Sequence, residues 1–167
     1  MKKVSHLTIK DNPIDEFKNK WALVTARKKD GTFNMCTIAW GSIGELWSKD
    51  VITVYVKENR YTNSFLLEDD YFTVSFFDEK DKGMLAFCGS KSGRDVNKVN
   101  ACGLKVVCLE NGITFENARR VYLCKKLYQD SFKKENFVNQ NKIINTYYKD
   151  EPFHYFYIGE ILETYEN

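Results

Sequence analysis

Eight consecutive residues, Cys88-Gly89-Ser90-Lys91-Ser92-Gly93-Arg94-Asp95, supply two hydroxyls, two fixed cations and two glycines that let backbone N–H groups approach a ligand. Arg60-Tyr61-Thr62 adds a further cation and hydroxyl upstream. A phosphate group needs these parts: charge, directional donors and a loop without side-chain bulk. The stretch matches neither G-x-x-x-x-G-K-[ST] nor G-x-G-x-x-G, so the P-loop and dinucleotide-fold solutions are poor guides to it. Taken alone, the same residues also describe an ordinary surface loop, with Ser92 as a helix cap and Arg94 as a solvated charge.

The chain that must position them has 167 residues, enough for one domain, 1–167, with a proper core. Lys and Arg number 25 against 23 Asp and Glu, a balance without the electrostatic footprint of a nucleic-acid or membrane-surface binder. The local run Arg119, Arg120, Lys125, Lys126, Lys133, Lys134 is diluted by apolar residues and reads as solvated strand and loop edges. Five cysteines form no C-x-x-C pair, and only His6 and His154 could join them, so no metal site is expected. Free thiols, no apolar leader after Met1-Lys2-Lys3 and no membrane-length run suggest a reducing cytoplasm.

Short β-type runs dominate. Trp21–Ala26, the turn Lys29–Thr32 and Asn34–Trp40 read as a hairpin, and Val51–Val56 and Tyr71–Phe77 are the clearest strands. Between those two strands, Thr62 or Asn63 is expected to cap a helix carrying Phe65, Leu66 and Leu67. A second short helix is expected over Asp81–Phe87, and a helical turn starting at Ser92 or Asp95 and stopped by Gly103. Leu104–Leu109, Glu110-Asn111-Gly112 and Ile113–Phe115 form a second hairpin, followed by strands over Val121–Tyr128 and Phe153–Leu162. Glu135–Tyr148 is polar and Asn-rich, a helix or a lid. Many short strands with few helices point to a closed or nearly closed barrel.

Asn34-Met35-Cys36-Thr37-x-x-Trp40, Arg60-Tyr61-Thr62 and Ser92-Gly93-Arg94-Asp95-x-x-Lys98, taken together, resemble the flavin-reductase-like family of FMN-binding split β-barrels, the group that includes flavoredoxin. The resemblance covers Trp21 to Gly103 and returns at His154 to Ile161. It implies a mainly β fold, a six-stranded Greek-key split barrel with a few short flanking helices, and a homodimer. It also implies that Asn34, Met35, Cys36 and Thr37 run along the flavin ring and that Trp40 forms a wall. Arg60 and Thr62 would reach the phosphate or ribityl chain, Ser90, Ser92 and Arg94 would complete the cradle, and Lys98 would act as a long-range cation.

The function so implied is an FMN oxidoreductase that takes hydride from NADH or NADPH and passes electrons to a small-molecule or redox-protein acceptor. The absence of a triad or carboxylate pair suits it, because the cofactor carries the electron chemistry. The alternatives are a non-catalytic FMN carrier or sensor, and a split barrel binding another ligand such as a pyridoxal compound or haem. Cys36 stands where the family often has a larger residue and either packs as a small hydrophobe or tunes the ring. Trp40 is core or flavin wall, and Trp47 core or dimer interface. His154 is a proton donor near the ring or a strand histidine with a satisfied hydrogen bond.

Overall fold

A computed structural model describes residues 1–138 and 141–167. The strands are β1 (Lys2–Val4), β2 (Ala22–Arg27), β3 (Phe33–Ile38), β4 (Gly41–Leu46), β5 (Lys49–Lys57), β6 (Tyr71–Phe76), β7 (Val106–Leu109), β8 (Gly112–Phe115), β9 (Arg120–Ser131) and β10 (His154–Glu166). The helices are α1 (Pro13–Asp15), α2 (Tyr61–Glu68), α3 (Lys82–Ser90), α4 (Lys98–Ala101) and α5 (Asn141–Tyr147).

The fold is mainly β, but the six strands expected are eight in the main sheet. Their order is β3-β2-β6-β9-β10-β5-β4, with β1 added on β10. Every pairing is antiparallel. The sheet curls around one apolar cluster fed by β2, β3, β5, β6, β9 and β10, whose largest enclosed members include Phe72, Phe76 and Tyr157. Curling brings β3 and β5, far apart along the sheet path, to opposite walls of one cleft.

β2 is buried on both faces, which explains why its sequence is a continuous apolar run rather than an alternation. Ala22, Val24 and Ala26 face the inner cluster, and Leu23 faces a second cluster covered by α3 and the β7–β8 hairpin. Thr73 Oγ1 donates to the Ile113 carbonyl at 2.5 Å, and the Ser75 and Thr114 hydroxyls meet at 2.9 Å, so the hairpin is stitched to the sheet through buried polar groups. The loop of that hairpin is Glu110-Asn111, and Gly112 is already in the strand. A Cβ at Gly112 would come within 2.8 Å of Leu123 and Thr73, so this glycine serves close packing rather than the turn.

Several expectations are corrected. β4 pairs with β5 through a two-residue loop, Trp47-Ser48, with φ values of 57° and 56°. That loop has the primed-turn conformation without the Asn-Gly or Asp-Gly chemistry that announces it. Thr62 and Asn63 do not cap α2; Arg60 precedes it, and the two side chains point into the core, bonding Asn34 and Tyr157. Asn97, not Ser92 or Asp95, caps the next helix, its side chain accepting from Asn100 N at 3.0 Å. Arg119 and Arg120 are no solvated edge. Arg120 is buried between Asp11 and Glu166, and Arg119 pairs with Asp11 at 2.9 Å and with Glu16 at 2.5 Å. Within Glu135–Tyr148 the structure has a tight turn at Lys134–Asn136 and then α5; Asn139 and Gln140 lie outside the described residues. Among the described residues no helix is long and apolar enough to cross a membrane.

Candidate functional site

The cleft between β3 and β5 holds two adjoining cavities of about 250 and 140 Å³, which share Cys36, Lys57 and Arg60. β3 ends the sheet path, so half of its backbone polar groups have no strand partner and face the cleft or the loops across it. The chain leaves β5 through a turn in which Arg60 N donates to the Lys57 carbonyl at 3.0 Å, and α2 begins there. Tyr61 and Thr62, the first residues of α2, line the larger cavity.

That end is basic. Lys57, Arg60, Lys91 and Lys98 line it against a single carboxylate, Glu151, which pairs with Lys57 at 3.2 Å. Among the described residues Arg60 makes no ion pair and stays exposed at the mouth. Asn34 and Thr62 are both buried and share a hydrogen bond of 2.9 Å. Gly93 lies directly on that pair: a Cβ there would stand 2.2 Å from Asn34 Oδ1. Only glycine lets the Lys91–Gly93 loop descend so close to the floor.

The remaining expected residues divide. Ser92 lines the cavity and also accepts from Arg94 N at 3.2 Å. Arg94 does not enter it. Its guanidinium sits 4.6 Å from the centre of the Tyr61 ring, beside a wider open depression beyond Gly93. Ser90 is exposed, lines neither cavity, and donates to the Phe87 carbonyl at 3.2 Å. Lys98 is 4 % exposed and donates to the carbonyls of Met35 at 2.9 Å and Cys88 at 2.7 Å. Burial pulls its ammonium below the usual lysine range. It is a strut between the edge of β3 and the end of α3, not the free cation expected. Thr37 Oγ1 donates to the Leu85 carbonyl at 2.5 Å, so its hydroxyl is committed to α3. Met35 packs its side chain in the outer cluster, and Cys36 packs in the inner one, its thiol pushed up by burial. Cys36 thus packs into the core and also borders both cavities.

The other end is aromatic. Trp40 is 39 % exposed, with ring centres 4.7 Å from His154 and 5.3 Å from Tyr147 of α5. His154 is buried, its Nδ1 lies 3.0 Å from the Tyr148 hydroxyl, and burial, then Lys57 and Arg60, push its pKa down to about 4. The imidazole is neutral near pH 7. It has the satisfied hydrogen bond of a strand histidine, yet it borders the smaller cavity. Trp47, by contrast, stands 58 % exposed at the β4–β5 hairpin tip, away from both clusters. Sequence reasoning missed Lys57, Asn59, Glu151, Tyr147 and Tyr148. Lys57-x-Asn59-Arg60 at a strand end was a usable signal, whereas the other three come from a segment without a pattern.

The fold and cleft define a curled antiparallel-sheet protein with a groove that is basic at one end and aromatic at the other. The model for the Flavin reductase like domain matches residues 14–128, and the chain belongs to that family. Membership supports a flavin-binding oxidoreductase. No curated protein matches the chain. Among solved structures it is similar to flavoredoxin from Methanosarcina acetivorans (TM-score 0.70, 22% identity, 95% of this chain and 75% of that one). An FMN-binding protein from Thermus thermophilus, solved with bound 1-cyclohex-2-enone, gives 0.68, 21% identity, and 95% and 78% coverage. The 2-nitrobenzoate 2-nitroreductase NbaA of Pseudomonas fluorescens gives 0.65, 15% identity, and 98% and 76%.

Proposed function

We propose that the chain is an FMN-dependent oxidoreductase that takes reducing equivalents from NADH or NADPH and delivers them to a small-molecule or redox-protein acceptor. The observation that carries this reading is the polarity of one continuous cleft: Arg60, without an ion pair among the described residues, and the start of α2 at one end, Trp40 and His154 at the other, and the outer edge of β3 between them. A phosphate fits the first end, a planar ring the second, and the polar rim of the ring the strand edge. When bound, the flavin supplies the two-electron chemistry itself.

The residues of the chain bind and orient. Arg60 and Ser92 would hold the phosphate. Asn34 and Thr62 fix the floor beneath Gly93, and the backbone of Met35, Cys36 and Thr37 faces the ring rim. Lys98 keeps that strand edge in place, Arg94 braces Tyr61, and Trp40 with neutral His154 would wall the end of the cleft that takes the ring. Ser90 has no part in this arrangement beyond closing α3. The six strands that feed the inner cluster are read as the split barrel, with β1 and β4 as additions.

The same reading takes the working form as a homodimer in the cytoplasm, where five thiols stay reduced. Support for a dimer comes from the outer sheet face, where Tyr55, Phe132, Phe156 and Tyr128 form a contiguous aromatic surface that reaches Trp47. Light scattering on a Trp47→Asp, Tyr128→Asp variant should give a monomer where the parent gives a dimer.

The deciding experiment is the visible spectrum of the purified protein with and without added FMN, followed by anaerobic NADH and NADPH. Flavin bands bleached rapidly by either nucleotide support the oxidoreductase. Full loading without bleaching makes the chain a carrier, and failure to bind FMN overturns the reading.

A further inference from the structure

Two thiols sit at the two ends of the loop that forms the basic lip. Cys88 lies in the last turns of α3 and Cys102 immediately after α4, and their sulfurs are 4.0 Å apart. The loop between them carries Lys91, Ser92 and Gly93 over the cavity and the strut Lys98, whose ammonium bonds the carbonyl of Cys88 itself. The two cysteines differ in access: Cys88 is fully buried and Cys102 half-buried. Burial and the adjacent Cys102 raise the Cys88 thiol well above the ordinary range, so it is no reactive thiolate on its own. Gly103, with φ of 61°, follows Cys102, and α4 is a single turn held at its start by Lys98, so the outer partner sits at the far end of that turn, next to a glycine.

We propose that Cys88 and Cys102 are a peroxide-responsive thiol pair that closes into a disulfide, locking the loop between α3 and α4. A normal S–S bond is about 2.05 Å, which a change of side-chain rotamer and a small shift of α4 can reach from 4.0 Å. The chemistry balances with hydrogen peroxide as oxidant. The accessible sulfur of Cys102 attacks one peroxide oxygen, the O–O bond breaks, and Cys102 becomes a sulfenic acid while water leaves. The Cys88 sulfur then attacks the Cys102 sulfur, its S–H proton leaves with the hydroxyl as a second water, and the S–S bond forms. Two electrons pass from the two thiols to one peroxide. The buried member is thereby the resolving partner, which needs proximity more than acidity.

The sequence makes the test direct, because trypsin cleavage after Lys82, Lys91, Lys98 and Lys105 places the two cysteines on separate peptides, Gly83–Lys91 and Val99–Lys105. The full chain is treated with one equivalent of hydrogen peroxide, blocked with alkylating agent in denaturant, and mapped by mass without reductant. The expected result is those two peptides joined and two hydrogens lighter than their sum, and separated again by dithiothreitol. Cys102→Ser, with Cys102→Ala as a second variant, should leave Cys88 alkylatable under the same treatment, because the inner thiol has lost its entry point. Exposed Cys108 is the internal control, oxidising without joining this pair. The proposal is overturned if Cys102 proceeds to sulfinic acid with Cys88 free, or if Cys88 joins another cysteine. The mass readout needs no flavin, so its outcome is separate from that of the proposed function.

Discussion

The two ends of the cleft are built in opposite ways. At the aromatic end Trp40, His154, Tyr147 and Tyr148 hold one another by ring packing and one hydrogen bond, and His154 and Tyr148 are buried. At the basic end the working groups are exposed (Arg60, Lys91) or half-buried (Ser92, Gly93) and rest on a buried support of Asn34, Thr62 and Lys98. A ring is recognised by a preformed wall, whereas an anion is recognised by groups that stay hydrated until it arrives. Damage to the basic end should therefore appear in ligand affinity, and damage to the aromatic end in stability and pH response.

The largest effect is expected from Arg60→Ala combined with Ser92→Ala. Each truncated charge-assisted contact should cost about 1.5–3 kcal/mol of FMN binding, read by fluorescence titration, with thermal stability nearly unchanged. Loss of stability without loss of affinity would invert the comparison.

His154 offers the matching test at the other end. Its folded pKa of about 4 lies below the ordinary 6.5, so the unfolded chain binds more protons between those values. Stability is full above about pH 6.5, is lost as pH falls through this window, and is lower by about 3 kcal/mol below pH 4. Chemical denaturation across pH should show that slope in the parent and a flatter one in His154→Gln.

Gly93→Ala joins the two effects. The new Cβ must displace the Asn34 amide from Thr62, at about 1–3 kcal/mol for a buried polar group left unpaired, and it lifts the loop. Both FMN affinity and melting temperature should fall. Arg94→Ala should have the smallest effect, about 0.5–1 kcal/mol for an exposed cation on an aromatic face. An affinity loss equal to that of Arg60→Ala would show that Arg94 reaches the ligand after all.

The resemblance carried by the segments at Asn34, Arg60 and Ser92 brought the right family, because those segments combine residue types rarely needed together. Strand positions were legible where β-branched and aromatic residues run together, as in β5 and β6. β4 was hidden, since Gly41–Leu46 has little β-type composition and its turn is Trp47-Ser48. Arg94 and Lys98, neighbours in one motif, read in sequence as a cradle residue and a long-range cation; Lys98 is buried under two carbonyls and Arg94 stacks on Tyr61 outside the cavity.

By itself the sequence determined the local chemistry: which runs prefer to be extended, which loop lacks bulk, which segments carry hydroxyls and cations. These follow from side-chain type and short-range sterics. The tertiary structure alone decided which of those groups face a common space. Curling of the sheet set β3 against β5, seated Gly93 on Asn34, and drew His154 beside Trp40 across more than a hundred residues of chain. Whether a lysine is a ligand or a strut depends on what lies opposite it, and partners that far away in sequence leave no mark in the residues next to it.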